Sequence, residues 1–288
     1  MITLNNERTY GVEVEFLAPV SSQTELVVKL QSKINEHLGI DHPVQLNVAG
    51  YSNADSSKWR IKTDSSIVSG YPTREANEND IYHYGYEMVS PILQGDLSMK
   101  YLKVVMDAIE QVGGTVNRSC GLHVHVGVSD WKLKHFKNLY KRYQKFEKVI
   151  DSFMPNSRKE NNNSYCRSIY NYTGRADFDE INSARNLREL SRKATGGDRY
   201  VKLNMQSFWK HGTVEFRHHS GTVNFSKIRN WVLVCLAMTK CADNQRSIKL
   251  GNVRTHKIQT FFNGLKSTGL IDKSIRLFYN KRVKQCTS

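Results

Sequence analysis

Tyr10-Gly-Val-Glu-Val-Glu-Phe16 alternates small or apolar residues with acids, and two later stretches repeat the device. They are Cys120-Gly-Leu-His-Val-His-Val-Gly127 and Gly212-Thr-Val-Glu-Phe-Arg-His218. Successive side chains of a β-strand point to opposite faces. Glu13 and Glu15 therefore share one face, as do His123 and His125, and Glu215 and Arg217. Val12, Val14 and Phe16, then Leu122, Val124 and Val126, then Val214 and Phe216, take the other. Placed side by side, three such strands collect carboxylates, imidazoles and a guanidinium on one surface. That surface suits a divalent metal and phosphate better than packing.

The remaining pattern sets these strands among helices. A strand is expected over Thr9–Ala18 and a helix over Gln23–Leu38, opened by the Ser22-x-x-Glu25 box. Short strands fit Val44–Val48, Lys58–Thr63 and Tyr82–Val89. A helix over Leu97–Val112 is expected to be capped by Asp96 and ended by Gly113-Gly114. The His strand, Gly121–Val128, precedes a long helix over Trp131–Phe153 with Asp130 as its cap. Strands are expected at Val201–Phe208 and Thr213–His219, and helices at Ser226–Cys241, Thr255–Lys266 and Ile271–Asn280. Hairpin-like strands interrupted by helices predict an α+β fold, with a curved, mostly antiparallel sheet and helices on its outer face. No repeat or Pro/Gly/Ser-rich hinge divides the 288 residues. They are expected to form one domain, with a polar, substrate-facing insertion at about 155–197 and a basic helical tail from about 255.

Five cysteines without CxxC spacing argue against a zinc ribbon, and an odd number fits reduced thiols in a cytoplasmic protein. Met1–Arg8 has no apolar core of a signal peptide, and Trp231–Met238 is too short to span a bilayer. A net charge of +15 reads either as a polyanionic partner, such as nucleic acid, a nucleotide-rich substrate or an acidic polymer, or as a basic, non-specific surface, and no membrane partner is expected.

Glu87 adds a carboxylate inside the apolar run Tyr86-Glu-Met-Val-Ser-Pro-Ile-Leu93, where an unpaired charge is costly. The excess of carboxylates over His and Cys favours Mg²⁺ or Mn²⁺, with zinc left open by His123-x-His125. Glu215-Phe-Arg217 reads either as an exposed ion pair or as a metal ligand beside a phosphate-neutralising cation. Lys62-Thr-Asp-Ser-Ser-Ile67 reads first as a turn.

Five segments occur in order: Gly11-x-Glu13-x-Glu15, Thr63-Asp-Ser-Ser-Ile67, Glu87-Met-Val-Ser-Pro91, Ser119-Cys-Gly-Leu-His-Val-His125 and Thr213-Val-Glu-Phe-Arg217. Together they resemble the amidoligase family, a branch of the superfamily of glutamine synthetase and γ-glutamylcysteine synthetase. The resemblance runs from Gly11 to about Trp231. It implies a glutamine synthetase-like catalytic funnel and an ATP- and Mg²⁺-dependent ligase that joins a carboxylate to an amine through an acyl phosphate. It further implies that Glu13 and Glu15 bind different metals, with Glu87 beside Glu15, and that His123 joins Glu13 and Glu215. His125 would touch phosphate or substrate, Arg217 would stabilise the γ-phosphate, and Asp64 would bind either metal or the incoming amine. Arg167, Arg175, Arg185, Lys202 and Asn204 are candidates for substrate or nucleotide contacts. The substrates expected are small-molecule or peptide acids and amines. The longer glutamine synthetase signatures are absent, so ammonia and free glutamate are not implied. Two further readings stand beside the ligase. One is another metal-dependent phosphoryl-transfer or hydrolytic enzyme, and the other is a non-catalytic, basic nucleic-acid-binding module.

Overall fold

A computed structural model gives the structure, described for residues 2–49, 56–70, 81–170, 178–244, 248–249 and 256–287. These residues contain β1 (Tyr10–Ala18), α1 (Gln23–Leu38), β2 (Leu46–Val48), β3 (Trp59–Lys62), β4 (Tyr84–Val89), α2 (Gly95–Gln111) and β5 (Gly121–Gly127). Next come α3 (Leu133–Ser152), a 3-10 turn at Asn156–Arg158, α4 (Phe178–Ser183), α5 (Leu187–Thr195), β6 (Leu203–Asn204), α6 (Gln206–His211) and β7 (Thr213–Ser220). The chain ends through α7 (Phe225–Asn244), α8 (Ile258–Asn263), a 3-10 turn at Lys266–Thr268 and α9 (Lys273–Thr287). The fold is α+β, with a seven-stranded sheet that is mixed and not closed. Strands β2 and β3 run parallel, whereas β1–β4, β3–β4 and β6–β7 are antiparallel.

Two compact units divide the chain. The first comprises Thr3–Val124 and Ser220–Arg229, and orders its strands β2-β3-β4-β1 followed by the first half of β5. Its apolar strand positions Val14, Phe16, Ile61, Tyr86 and Met88 are at most 1% exposed, so the alternation read in the sequence does sort one face into a core. The second unit comprises His125–His219 and Asn230–Ser288, with Met1–Ile2. Its core gathers Phe136, Tyr140 and Tyr143 of α3 and Phe216 of β7, all fully buried.

Several boundaries follow the expectation and others depart for local reasons. Helix α1 matches its expected span, and Ser22 Oγ accepts from the Glu25 N–H at 3.4 Å. Asp96 does not cap α2. It lies inside the first turn and accepts from Thr3 Oγ1 and the Leu4 N–H, both at 3.0 Å. Asn5 Oδ1 instead accepts from the Asp96 N–H at 3.1 Å, a cap supplied from 91 residues away. Helix α3 opens at Leu133, where the His135 ring accepts from the Lys132 N–H. The strand expected over Val201–Phe208 shrinks to Leu203–Asn204, because Gln206–His211 turns into α6. Asn204 Oδ1 accepts from the Gln206 N–H at 2.7 Å and so starts that helix. Helix α9 continues to Thr287, beyond the expected Asn280. Thr255, the expected start of α8, and residues 171–177 of the insertion lie outside the described residues. All five cysteines are free thiols. Among the described residues no helix is long and apolar enough to cross a membrane.

Gly221 marks a close approach in the first unit. Its N–H donates to Cys120 O at 2.7 Å, and a Cβ there would fall 2.4 Å from Cys120 Cβ. Overpacking of this kind costs about 1–3 kcal/mol. Gly221→Ala is expected to lower the unfolding free energy by that amount in denaturant titrations, and an unchanged midpoint would refute the close approach.

Candidate functional site

Register builds the acidic face of the first unit. Antiparallel pairing sets Glu15 opposite Glu87 and Glu13 opposite Val89, and β3 sets Lys62 opposite Glu87. Residues paired across strands project to the same side. Glu13, Glu15, Glu87 and Lys62 therefore share a face, while Val14, Phe16, Met88 and Ile61 fill the core behind it.

His123 on β5 joins this face. Its Nδ1 lies 3.0 Å from Glu13 Oε2 and its Nε2 lies 3.6 Å from Glu15 Oε1. The Gly121 N–H donates to Glu15 Oε2 at 2.6 Å. Asp64 is fixed by its own turn, with the Ser66 N–H and Oγ both donating to Oδ1, at 2.7 and 2.6 Å. Two trios result, each with donor atoms within 4.8 Å of one another: Glu13, Glu87 and His123, and Glu15, Asp64 and Glu87. Glu87 belongs to both.

The crowding shows in the protonation of Glu87. Burial pushes its carboxyl well above the usual range, and the charges of Glu13, Glu15 and Asp64 add to that, with Lys62 opposing. At an effective dielectric near 20, each like-charge contact at about 4–5 Å costs on the order of 3–4 kcal/mol. One lysine cannot offset four carboxylates at that cost. The donor set is mostly hard oxygen with one imidazole, which fits Mg²⁺ or Mn²⁺. Each trio could hold one ion, with Glu87 shared.

In the second unit, β7 projects Glu215 and Arg217 together. Asn204, opposite Glu215 on β6, donates its amide to Glu215 Oε2 at 2.6 Å. Arg217 Nη1 donates to Glu215 Oε1 at 2.6 Å, and Arg217 Nε donates to Tyr165 O at 3.3 Å. The guanidinium carbon lies 6.0 Å from the Tyr200 ring centroid. Both oxygens of Glu215 are thus engaged, and Arg217 is steered on three sides. His125 Nδ1 lies 3.0 Å from Thr213 Oγ1, with Nε2 3.8 Å from Glu215 Oε1.

The other cationic candidates sit differently. Lys202 is fully buried, and its ammonium donates to Asp151 Oδ1 at 2.6 Å and Glu147 Oε1 at 3.2 Å. That places it in the core of the unit as a structural ion pair. Asn204 is a buried support for Glu215. Arg167 pairs with Asp198, Arg185 is exposed ahead of α5, and Arg175 lies outside the described residues.

The Lys202 network was not read from the sequence. His218 Nε2 lies 2.6 Å from Asp151 Oδ1, and its Nδ1 lies 2.6 Å from Tyr143 Oη. A neutral ring protonated on Nε2 donates to Asp151 and accepts from Tyr143. Burial, and then the charge of Lys202, lower the His218 pKa from 6.5 to about 4 against the pull of Asp151. Burial alone would raise Asp151, but His218 and Lys202 outweigh it and hold the carboxyl below its usual range. Glu147 and Asp151 stand four residues apart within the buried side of α3, and that spacing of acids in an apolar pattern was the available signal.

Two outcomes test these arrangements. Glu87→Gln removes a carboxyl whose ionised form burial and the neighbouring acids disfavour. It is expected to raise the melting temperature of the metal-free protein by a few degrees and to abolish the stabilisation that Mn²⁺ gives the wild type; retention of that stabilisation would remove Glu87 from the metal set. His218 titrates lower when folded than when unfolded, so the unfolded chain binds more protons between pH 6.5 and about 4. Stability present above pH 6.5 is therefore lost as pH falls through that window, by roughly 3 kcal/mol in full. Urea titrations of His218→Asn should show a flatter pH dependence than wild type, and equal slopes would contradict the buried neutral ring.

The chain matches the family model described as "Putative amidoligase enzyme" over residues 6–239, a span that includes every one of the acidic, His and Arg positions above. No curated protein matches it. Because that model matches well over half of the sequence, the chain belongs to the amidoligase family.

Proposed function

We propose that the protein is an ATP- and Mg²⁺-dependent carboxylate–amine ligase that forms an amide through an acyl phosphate. Family membership supports a ligase-type enzyme. The observation that carries the finer reading is the in-register pair Glu15–Glu87, flanked by Glu13, His123 and Asp64 on a largely enclosed face. Such a crowd of carboxylates favours divalent cations, and divalent cations favour triphosphate.

Glu13, Glu87 and His123 would hold one ion, and Glu15, Asp64 and Glu87 another. Bound there, divalent ions would screen the triphosphate and polarise its γ-phosphoryl group. The proximity of Asp64 to Glu15 and Glu87 favours the metal role for it over amine binding. Glu215 and Asn204 orient Arg217, whose guanidinium neutralises charge on the transferring phosphoryl. His125 contacts phosphate or substrate. In the first step an oxygen of the acid attacks the γ-phosphorus, the bond to the β–γ bridging oxygen breaks, and ADP leaves. In the second the amine nitrogen attacks the acyl carbon, phosphate departs with the C–O electron pair, and the nitrogen loses a proton to solvent. The reading also takes the sheet as the wall of a glutamine synthetase-like funnel. Exclusion of water there would protect the acyl phosphate from hydrolysis.

Incubation with ATP, Mg²⁺ and pooled acids, amines and short peptides is expected to yield ADP, phosphate and a product lighter by one water than its two parents. Phosphate release without an amide would point to a hydrolase, ADP with a phosphorylated acceptor would point to a kinase-like reaction, and absence of ATP binding with either Mg²⁺ or Mn²⁺ would overturn the ligase. Arg217→Lys should lower kcat by roughly tenfold or more while leaving nucleotide affinity nearly unchanged, since lysine lacks the planar fork. Unaltered turnover would reduce Arg217 to a structural ion pair.

A further inference from the structure

The net positive charge lies in one unit. Counting along the sequence, the second unit holds 30 Lys and Arg against 12 Asp and Glu, a net +18. The first holds 12 against 15, a net −3, and the two account for the +15 of the chain.

Within the second unit, α3 carries the most ordered part of that surplus. Lys134, Lys137, Lys141, Lys145 and Lys148 recur at intervals of three and four residues, one stripe of a 3.6-residue helix. From Lys137 to Ile150 every other position of the helix is buried, so between those residues its solvent-facing side consists of lysine alone. At 1.5 Å per residue the stripe is about 21 Å long, with a cation every 5 Å or so.

Among the described residues no carboxylate neutralises these lysines. Lys137 donates to Asn182 O at 2.7 Å, Lys141 to Asn182 Oδ1 at 3.0 Å and Lys145 to Lys249 O at 2.6 Å, all uncharged acceptors. Helices of the first unit are built otherwise: α1 pairs Lys29 with Glu25 and Lys33 with Glu36, and α2 pairs Lys103 with Asp107. In the second unit α5 likewise pairs Lys193 with Glu189. Burial, followed by repulsion from Lys137 and Arg142, lowers the pKa values of Lys141 and Lys145, as expected where positive charge is in excess. The stripe has no exposed aromatic or aliphatic anchor of the kind that seats a helix in a membrane. It also has no arginine fork or amide side chain to read base edges.

We propose that the lysine stripe of α3 binds the phosphodiester backbone of nucleic acid without regard to sequence. A rod of evenly spaced ammonium groups matches a linear array of phosphates, and release of condensed counterions drives the association. The proposal is independent of the ligase reading, because its test reads binding and not turnover.

The test is fluorescence anisotropy of the full chain with labelled 20-mer DNA of arbitrary sequence, duplex and single-stranded, at several salt concentrations. With all five lysines on phosphates, the slope of log K against log salt is expected near about −4.5 for duplex and about −3.5 for single strand. Lys134→Gln/Lys141→Gln/Lys148→Gln should reduce the slope by about 2–3 and weaken binding roughly 10- to 100-fold at 0.1 M salt. Lys273→Gln/Lys281→Gln/Lys284→Gln removes the same charge from exposed positions of α9 and should cost less than about threefold. If the first triple is unfolded by circular dichroism, Lys134→Gln/Lys148→Gln, confined to exposed positions, should still reduce the slope by about 1–2. Equal losses in the α3 and α9 triples would show that only net charge matters and would overturn the proposal. So would absence of binding at 50 mM salt, or competition by polyglutamate or phosphatidylserine vesicles as strong as that by unlabelled DNA.

Discussion

Pairing of β1 with β4 is the constraint on which the rest depends. Slippage of β1 by a single residue would turn Glu13 and Glu15 into the core, away from Glu87, and expose Val14 and Phe16. Each of those apolar side chains is worth about 1.5–3 kcal/mol when fully buried, so the register is held by the face away from the acids. Carboxylates that repel one another are kept together by packing on the far side of the same strands. Holding those carboxylates together costs fold stability, and under the proposed function a divalent cation bound among them would offset that cost.

The two units handle buried charge in opposite ways. Around Lys202 the ammonium meets Glu147 and Asp151, Asp151 meets His218, and His218 meets Tyr143. Each of these polar contacts is satisfied within the network, as a structural ion pair requires. Around Glu87 three other carboxylates converge, opposed among the described residues chiefly by Lys62. Both clusters contain perturbed groups, but only the second leaves a charge imbalance, and imbalance is what separates a candidate ligand site from a core network.

Surface charge follows a similar division. The first unit pairs Lys29, Lys33 and Lys103 of its helices with acids one turn away, which limits its field. Helix α3 does not, although most of its surface is committed to the core, so its narrow exposed edge concentrates the cationic surplus of the second unit.

The sequence by itself determined what repeats locally. Period-two alternation identified β1, β5 and β7 and the face each functional side chain takes, and the apolar stripe of α1 identified its full span. The order of the acidic, His and Arg segments was enough to indicate the family. Only the tertiary structure decided what meets what. Glu15 stands opposite Glu87, and Asn5, not Asp96, caps α2, because pairing joins segments distant along the chain and no local periodicity encodes the partner. Lys202 was read as a ligand contact and proved to be enclosed, since its two acids come from the buried face of α3. Direction along a strand is written in the chain; burial and partnership arise only when the elements pack.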